Sequence, residues 1–315
     1  MRRYVIRRLI GLVPVLLGVI FVTMLTIELI PGDPVAIMLG ENARQEQVEA
    51  LRAHLGLDQP FPVRYVKYVG NVLTGDLGRS IQTNRSVLAE IADVWPNTLL
   101  LAIAAMALAI VVGITVGIIS AIRPYGLIDT VARVVALIGL SMPIFWLALM
   151  LQSLFAVHWQ LLPSAGMYTI GDGDLGDRLR HLVLPASILS VAYMASWGRF
   201  TRASMLDVFG LDYIRTARAK GLGEVQVIYR HALRNALVPV ITIVALDFAG
   251  MISGAVITET IFAWPGMGRL FIESMNGRDY PVLMALLMIG SFALVAINLI
   301  TDIVYSLVDA RIRYD

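Results

Sequence analysis

The sequence contains no cysteine and little histidine, lysine or charge of either sign. Without cysteine the chain forms no disulfide bonds or thiolate metal sites and offers no cysteine nucleophile. No two of its four histidines fall at the spacing of metal ligands, which argues against a metalloenzyme. Neither of its two lysines, Lys67 and Lys220, follows a glycine. The chain therefore lacks the Gly-x-x-x-x-Gly-Lys-Ser/Thr loop that would hold the phosphates of ATP.

The scarcity of charge predicts a membrane protein. Only 15% of the 315 residues are charged, whereas 58% are hydrophobic and the mean hydropathy is +0.76. A typical soluble domain carries about 25% charged residues, so this chain lacks the polar surface to face water on all sides. We predict an all-α membrane protein, because a helix satisfies its own backbone hydrogen bonds in hydrocarbon.

Six segments approach the length of about 20 apolar residues that crosses a bilayer. They are residues 9–30, 97–121, 131–157, 182–198, 237–262 and 282–308. The first follows four arginines, but it is about 22 residues long and has no cleavage site, which favours a retained helix over a signal peptide. The fourth is the shortest, and we expect it to be tilted or partly broken.

The distribution of Lys and Arg predicts that both termini are cytoplasmic. They number 15 in the inside segments, which are 1–8, 122–133, 199–236 and 309–315. The short outside loops 158–181 and 263–281 carry only 4. The predicted organisation has four parts: an arm and first helix (1–30), an extracytoplasmic loop with short helices (31–96), a five-helix core (97–308) and a cytoplasmic end (309–315).

The outside loop 31–96 has the pattern of short helices. Apolar residues at a spacing of three or four predict helices over Gln45–Leu55 and Val63–Leu73, and a third over Ser86–Trp95 before Pro96. Two interpretations stay open for this loop. It is a solvated lid over the helix ends, or it is a docking or gating surface.

The cytoplasmic segment 199–236 is basic and patterned. Asp212 is a plausible N-cap for a helix to Lys220, Gly221 ends that helix, and a second helical stretch runs from Glu224 to Ala236. Such a projection suits docking into a groove on a soluble partner. Its clustered arginines equally suit a helix lying on anionic lipid.

This segment resembles the cytoplasmic signature of bacterial ABC importer permeases, specifically the dipeptide/oligopeptide branch. The resemblance rests on residues 212–222 and on His231-Ala232-Leu233-Arg234-Asn235-Ala236. The general family pattern has Glu-Ala-Ala, then an invariant Gly and an Ile-x-Leu-Pro ending. Here Arg215-Thr216-Ala217 stands at the triplet, and only Ala217, Gly221 and Leu233 fit the general form. The peptide branch is known for this divergence.

Further matches to that branch occur in order along the chain. They are Pro31-Gly32-Asp33-Pro34, Pro96-Asn97-Thr98-Leu99, Ser141-Met142-Pro143-Ile144-Phe145, Leu161-Leu162-Pro163-Ser164-Ala165-Gly166, Glu259-Thr260-Ile261-Phe262, Trp264-Pro265-Gly266-Met267-Gly268 and Arg278-Asp279-Tyr280-Pro281. Each is weak alone, but their shared order is a strong signal.

The resemblance implies a type I importer fold and the pore subunit of an ATP-driven importer of di- or oligopeptides in the bacterial inner membrane. Its implied partners are a homologous second permease subunit, two ATPase subunits that bind ATP and Mg, and an extracytoplasmic solute-binding protein. No cofactor, metal or nucleic acid is expected on this chain. The implied coupling residues are Asp212, Tyr213, Arg215, Thr216, Ala217, Arg218, Ala219, Lys220, Gly221, Leu222 and Glu224.

Alternatives to this function concern the cargo and the class of protein. A nickel chelate, glutathione or an oligosaccharide is an alternative cargo for the same machinery. A stand-alone secondary transporter is disfavoured for two reasons. The sequence has no obvious internal symmetry, and it has only one mid-membrane carboxylate, whereas such a transporter would be expected to carry an intramembrane charge relay. An intramembrane enzyme is disfavoured because no histidine lies well inside a confident span.

Asp247 is the clearest ionisable residue within a predicted span. It lies about ten residues into the fifth span, and the small residues Gly250, Ser253 and Gly254 follow it. Intramembrane charge is costly and suggests function, so these four are the candidate pore-lining residues. The alternative is that Asp247 pairs with a neighbouring polar group and only joins helices.

Overall fold

The computed structural model describes residues 2–29, 45, 46, 49, 52, 58–171 and 173–308. Throughout these ranges the chain is helical and has no β-strand, only an isolated antiparallel bridge between Arg79 and Ser86. Most of the predicted helix Gln45–Leu55 lies outside the described residues. The all-α membrane fold predicted from the sequence is confirmed.

Twelve α-helices are defined in the described residues. They are α1 (Arg2–Leu29), α2 (Phe61–Leu73), α3 (Val87–Ala109), α4 (Thr115–Ile122), α5 (Leu127–Ser141), α6 (Ile144–Gln152), α7 (Leu175–Phe209), α8 (Asp212–Ala219), α9 (Glu224–Gln226), α10 (Leu233–Ile261), α11 (Met267–Asn276) and α12 (Tyr280–Val308). Wider π-helical turns join α3 to α4 (Ile110–Ile114) and α9 to α10 (Val227–Ala232), and a third follows α6 (Ser153–His158).

Five helical stretches in the described residues are long and apolar enough to cross a membrane, and a bent helix pair would make a sixth if it forms one span. The five contain Ile10–Leu29, Val87–Ile122, Leu175–Phe209, Glu224–Phe248 and Tyr280–Leu299. The predicted third span, 131–157, is the bent one, because α5 and α6 meet at an angle of 105°. Pro143 causes the break: it disfavours helical backbone in the residue before it, and Met142 is extended at φ −83° and ψ 133°.

Two predictions about helix boundaries were wrong. The fourth predicted span is not broken but belongs to α7, an unbroken helix of 35 residues. The polar residues after 198 lower the hydropathy without ending the helix, so a hydropathy window underestimates its length. Likewise, Ser86–Trp95 is not a separate helix, since α3 begins at Val87 and continues through Pro96. The predicted helix Val63–Leu73 is confirmed as α2.

The chain divides into two compact units. One comprises residues 1–94 and 270–296, and the other comprises 95–269 and 297–314. In the second unit, glycines let α7 approach the π-helical turn and α4 at backbone distance. A Cβ on Gly117 would lie 2.6 Å from the carbonyl oxygen of Gly198, and one on Gly113 would lie 2.9 Å from that of Met194. Small residues at this spacing permit close packing of membrane helices.

In the first unit, Asp279 fastens the segment before α3. Its carboxylate accepts hydrogen bonds from the hydroxyl of Ser80 (2.5 Å) and the backbone N–H groups of Ile81 (3.1 Å) and Gln82 (3.3 Å). Asp279 is buried, so these donors replace the water that it loses. The Arg-Asp-Tyr-Pro match in the sequence is thereby a structural anchor.

Glu259 holds the beginning of α11 from the end of α10. Its fully buried carboxylate accepts hydrogen bonds from the Thr98 hydroxyl (2.7 Å) and from the N–H groups of Gly268 (2.7 Å) and Arg269 (3.1 Å). The first N–H groups of a helix have no partner within it, and the helix dipole favours an anion there. Thr98 completes the network by accepting from the N–H of Met267 at 2.7 Å.

The same network explains the two glycines of the Trp264–Gly268 match. A Cβ on Gly266 would lie 2.3 Å from the Glu259 carboxylate, and one on Gly268 would lie 2.5 Å from the Cα of Val256. Buried Trp264 donates its indole N–H to the carbonyl of Asn97 (3.0 Å), whose side chain donates to the carbonyl of Pro265 (2.8 Å). Three segments that match the family in sequence, 96–99, 259–262 and 264–268, are thus joined by one hydrogen-bond network.

We expect Thr98 and Glu259 to be energetically coupled. Thr98→Val and Glu259→Gln should each lower the free energy of unfolding in detergent by about 1–3 kcal/mol, because each leaves buried polar groups unpaired. The double variant should lose less than the sum, with a coupling energy of at least about 0.5 kcal/mol. Thr260→Val is the control, since the exposed Thr260 hydroxyl bonds only to the carbonyl of Val256 in its own helix. Strictly additive losses would contradict the network.

Candidate functional site

The predicted coupling helix is α8, and one face of it is packed firmly against the membrane helices. Ile214 and Ala217 point into an apolar cluster with Met205 and Val208 of α7. The cluster also includes residues that precede or begin the returning helix: Val227, Ile228, Ala232 and Ala236. Two buried positions three residues apart fix the rotation of α8 about its own axis.

The other face of this segment is open. Of the predicted coupling residues, Ala217 is buried and Leu222 is half-buried against the apolar cluster. The remaining ones are exposed: Asp212, Tyr213, Arg215, Thr216, Arg218, Ala219, Lys220, Gly221 and Glu224. Among these exposed side chains, the basic ones outnumber the acidic ones by three to two. The segment is therefore a fixed helix that presents a polar, slightly basic surface.

Gly221 supplies the turn that the sequence predicted. Its φ is +79°, a left-handed conformation that costs a residue with a side chain about 1–2 kcal/mol. Its N–H donates to the carbonyl of Arg218 at 2.9 Å, which closes the end of α8. Nothing lies within 4 Å of a Cβ built there, so backbone conformation alone requires the glycine.

A charged pair spans the turn. The Arg218 guanidinium donates two hydrogen bonds to the Glu224 carboxylate, at 2.8 and 3.2 Å, so that the end of α8 is joined to the first residue of α9. The same guanidinium lies 5.8 Å from the centroid of the Phe209 ring, at the end of α7. Since this pair is exposed, its main effect is to fix the direction in which α9 leaves the turn.

The beginning of α8 differs from the prediction in one detail. Asp212 is the first helical residue and not the N-cap, a position held by Leu211, and the Asp212 carboxylate lies 3.3 Å from the Arg215 guanidinium. The next residue, Tyr213, accepts a hydrogen bond from the Asn235 side chain at 2.9 Å. This bond joins α8 to α10, and Asn235 belongs to the second part of the resemblance.

Asp129 is a site residue that sequence reasoning missed. It is fully buried in the first turn of α5 and accepts two hydrogen bonds from the Arg202 guanidinium of α7, at 2.7 and 2.9 Å. The N–H of Tyr125 donates to it as well, at 2.8 Å. The pair ties the loop after α4 to α7 near the predicted cytoplasmic side. An acid in a first helical turn was visible in the sequence, but its partner lies 73 residues away.

Two of the four candidate pore-lining residues lie together against α7. Asp247 is half-buried and accepts a hydrogen bond from the indole N–H of Trp197 at 2.7 Å. Gly250 is exposed, and a Cβ built on it would lie 3.4 Å from the Tyr193 hydroxyl. Ser253 and Gly254 belong to α10, and the surroundings of these two residues are not described. Trp197 and Tyr193 thus join this group, which the sequence did not indicate.

Comparison with known proteins supports the resemblance over the full length. The family model for the "Binding-protein-dependent transport system inner membrane component" matches residues 113–314, and the model for the N-terminal part of such membrane components matches residues 1–102. The chain is 43% identical to the dipeptide transport system permease protein DppB of Alkalihalophilus pseudofirmus, over all of both chains. It is 42% identical, again over all of both chains, to the oligopeptide transport system permease protein AppB of Bacillus subtilis.

A solved structure supports the fold. An inward-facing structure of the MetNI methionine ABC transporter superposes with a TM-score of 0.57 and 17% identity, covering 70% of this chain and 97% of that one. The fold, with its long α7 and the exposed helical turn that follows it, and the family models support the same family assignment. The chain is a multi-pass membrane protein that belongs to the family of binding-protein-dependent transport system inner membrane components.

Proposed function

We propose that this chain is the translocation-pore subunit of an ATP-driven importer of di- and oligopeptides, with both termini in the cytoplasm. The names of the full-length relatives, which are dipeptide and oligopeptide permease proteins, support the peptide cargo. The structural observation that carries the proposal is the segment α8–turn–α9. Its inner face is fixed to the membrane helices, and its outer face is free to dock.

The geometry suits the transmission of movement from a soluble ATPase. A partner groove receiving the exposed face of α8 would push on Ile214 and Ala217, which are buried against α7 and the beginning of α10. Since the interior is close-packed, such a push is passed on rather than absorbed. ATP binding on the partner would then favour one of two conformations of the membrane helices.

The remaining partners follow from what the chain lacks and where its loops lie. Because it has no phosphate-binding loop, ATP and Mg bind to two separate ATPase subunits. A homologous second permease subunit completes the pore. Residues 31–96, 158–181 and 263–281 would face an extracytoplasmic solute-binding protein that delivers the peptide.

The coupling role predicts a sharp difference between two neighbouring glycines. Gly221→Pro should abolish peptide-stimulated ATP hydrolysis by the assembled complex, because proline is fixed near a φ of about −65° and has no N–H to donate to Arg218. Gly223→Ala is the matched control: its φ is −64°, and a Cβ there meets nothing within 4 Å. ATPase activity and co-purification of the ATPase subunits are measured in the same detergent preparation.

The outcomes of this experiment separate the competing interpretations. Loss of ATPase stimulation in Gly221→Pro, with normal membrane insertion and a normal Gly223→Ala, supports coupling. Normal stimulation in Gly221→Pro contradicts it and favours the alternative that the segment rests on anionic lipid. Transport of solute by the chain alone, without ATP, would refute the importer function altogether.

We also propose that Asp247 faces the peptide pathway. Its carboxylate is half-buried with a single described donor, Trp197, and the exposed Gly250 follows it by three residues on α10. A carboxylate accepts more than one hydrogen bond, so Asp247 retains capacity for a passing ammonium group. The free amino terminus of a peptide supplies such a group.

Removing the charge of Asp247 should slow uptake without unfolding the protein. Asp247→Asn keeps the shape and an acceptor for Trp197, but it should lower the rate of tripeptide uptake by reconstituted complex about tenfold, as expected for a lost charge-assisted hydrogen bond. Asp207→Asn removes the same charge at an exposed position near the end of α7 and should leave uptake unchanged. Equal uptake by both variants would assign Asp247 to structure only.

A further inference from the structure

The helix α2 lies against α1 at a depth that the sequence pattern did not reveal. The rings of Phe61 and Tyr65 both pack edge-to-face on Phe21, with centroids 5.5 and 5.7 Å apart. The Tyr65 hydroxyl donates to the backbone carbonyl of Leu17 at 3.0 Å. All these contacts are made within one compact unit of the fold.

The position of these contacts along α1 sets their depth in the bilayer. The apolar run of α1 extends from Ile10 to Leu29. At a rise of about 1.5 Å per residue, Phe21 lies about 12 Å and Leu17 about 18 Å from the outer end of that run. The hydrocarbon core is about 30 Å thick, so an α1 that crosses it upright would place the first turn of α2 inside it.

Arg64 has the contact expected of a cation at that depth. It follows Phe61 by one turn, yet its guanidinium reaches Glu28, near the outer end of α1, at 2.8 Å. A long basic side chain in a bilayer extends toward the interface while its stem stays in the apolar layer. The Arg64 side chain is only 15% exposed, whereas the Glu28 side chain at the boundary is 46% exposed.

The hydrogen bond from the Tyr65 hydroxyl to the Leu17 carbonyl is also typical of a polar group in hydrocarbon. In water a tyrosine hydroxyl finds partners in the solvent, but in lipid an unpaired hydroxyl is costly to bury. A backbone carbonyl of a membrane helix is among the few acceptors present at mid-depth. The first turn of α2 therefore satisfies its polar groups as a membrane-embedded segment does.

The side of α2 away from α1 is uncovered, and it exposes two valines together with Lys67. Val63 is 51% exposed and Val66 is 68% exposed, one turn apart on the side away from α1. With 13 residues, α2 is too short to cross the bilayer, and a stretch of this length suits a re-entrant or interfacial helix. Exposed valines at this depth would meet acyl chains, and the long stem of Lys67 would let its ammonium group extend toward the interface.

We propose that α2 is a lipid-embedded helix that enters the bilayer from its outer side beside α1 and reaches about its middle, with Val63 and Val66 in contact with acyl chains. The segment 31–96 is thus not entirely an aqueous loop, and part of it belongs to the membrane-facing surface of the permease. This inference rests on the proposed orientation of α1, with its amino terminus in the cytoplasm, and is independent of the cargo.

Because the chain contains no cysteine, a single introduced cysteine is the only thiol on this chain, and a fluorophore can be attached to this chain at one chosen position. Val66→Cys, with Val63→Cys as a second variant, is labelled with a bimane fluorophore in the purified full complex and reconstituted into phosphatidylcholine–phosphatidylglycerol vesicles. Val22→Cys on α1 is the lipid reference, being 60% exposed inside the apolar run. Ile170→Cys, 97% exposed in an outside loop, is the aqueous reference.

Quenching by brominated acyl chains and by aqueous iodide then decides the matter. Position 66 should lose most of its fluorescence to brominated lipid and little to iodide, as position 22 does. Quenching by iodide, as at position 170, would overturn the proposal and make α2 a water-facing surface for the binding protein. Protection from both quenchers would also overturn it, because another subunit would then cover α2. Position 63 gives the same readout if Val66→Cys fails to assemble.

Discussion

Hydrocarbon offers no hydrogen bonds, and the polar contacts of this chain are arranged around that constraint. Asp247 is paired with an indole N–H, and the Tyr65 hydroxyl with a backbone carbonyl. Glu259 receives three donors and Asp279 receives three. Most of these bonds cross between elements far apart in the sequence, so satisfying buried polar groups also specifies which helices lie side by side.

The all-α membrane fold, the position of most apolar spans and the turn at Gly221 could be predicted from the sequence because they depend on local pattern. The length of an apolar run indicates a membrane span, and a glycine between two helical patterns indicates a left-handed turn. The unbroken α7 was missed because Arg199 and Arg202 lower the hydropathy while leaving the backbone helical. The Glu259–Thr98 and Asp129–Arg202 pairs were out of reach, since no local pattern links residues 161 or 73 positions apart.

The segment α8–turn–α9, proposed above as the coupling element, shows how its signature diverges without loss of the fold. Three positions fit the general pattern, and each of them has a structural reason. Ala217 is buried, Gly221 has positive φ, and Leu233 packs against the apolar cluster. Of the positions that depart from the pattern, Arg215, Thr216 and Arg234 are exposed and His231 is half-buried. Divergence thus falls mainly on exposed positions, which a partner would contact under the proposed function, and there a change alters which partner fits rather than how the helix packs.

The length of α7 has a mechanical consequence. Its backbone contact with Gly113 and Gly117 is centred near Gly198, which lies 11 residues from the end at Phe209 and 23 from the start at Leu175. The arms on either side of that crossing are therefore about 16 and 35 Å long. For a stiff rod turning about this crossing, the arm lengths act as a lever, and a small displacement beside α8 becomes about twice as large at the opposite face of the membrane.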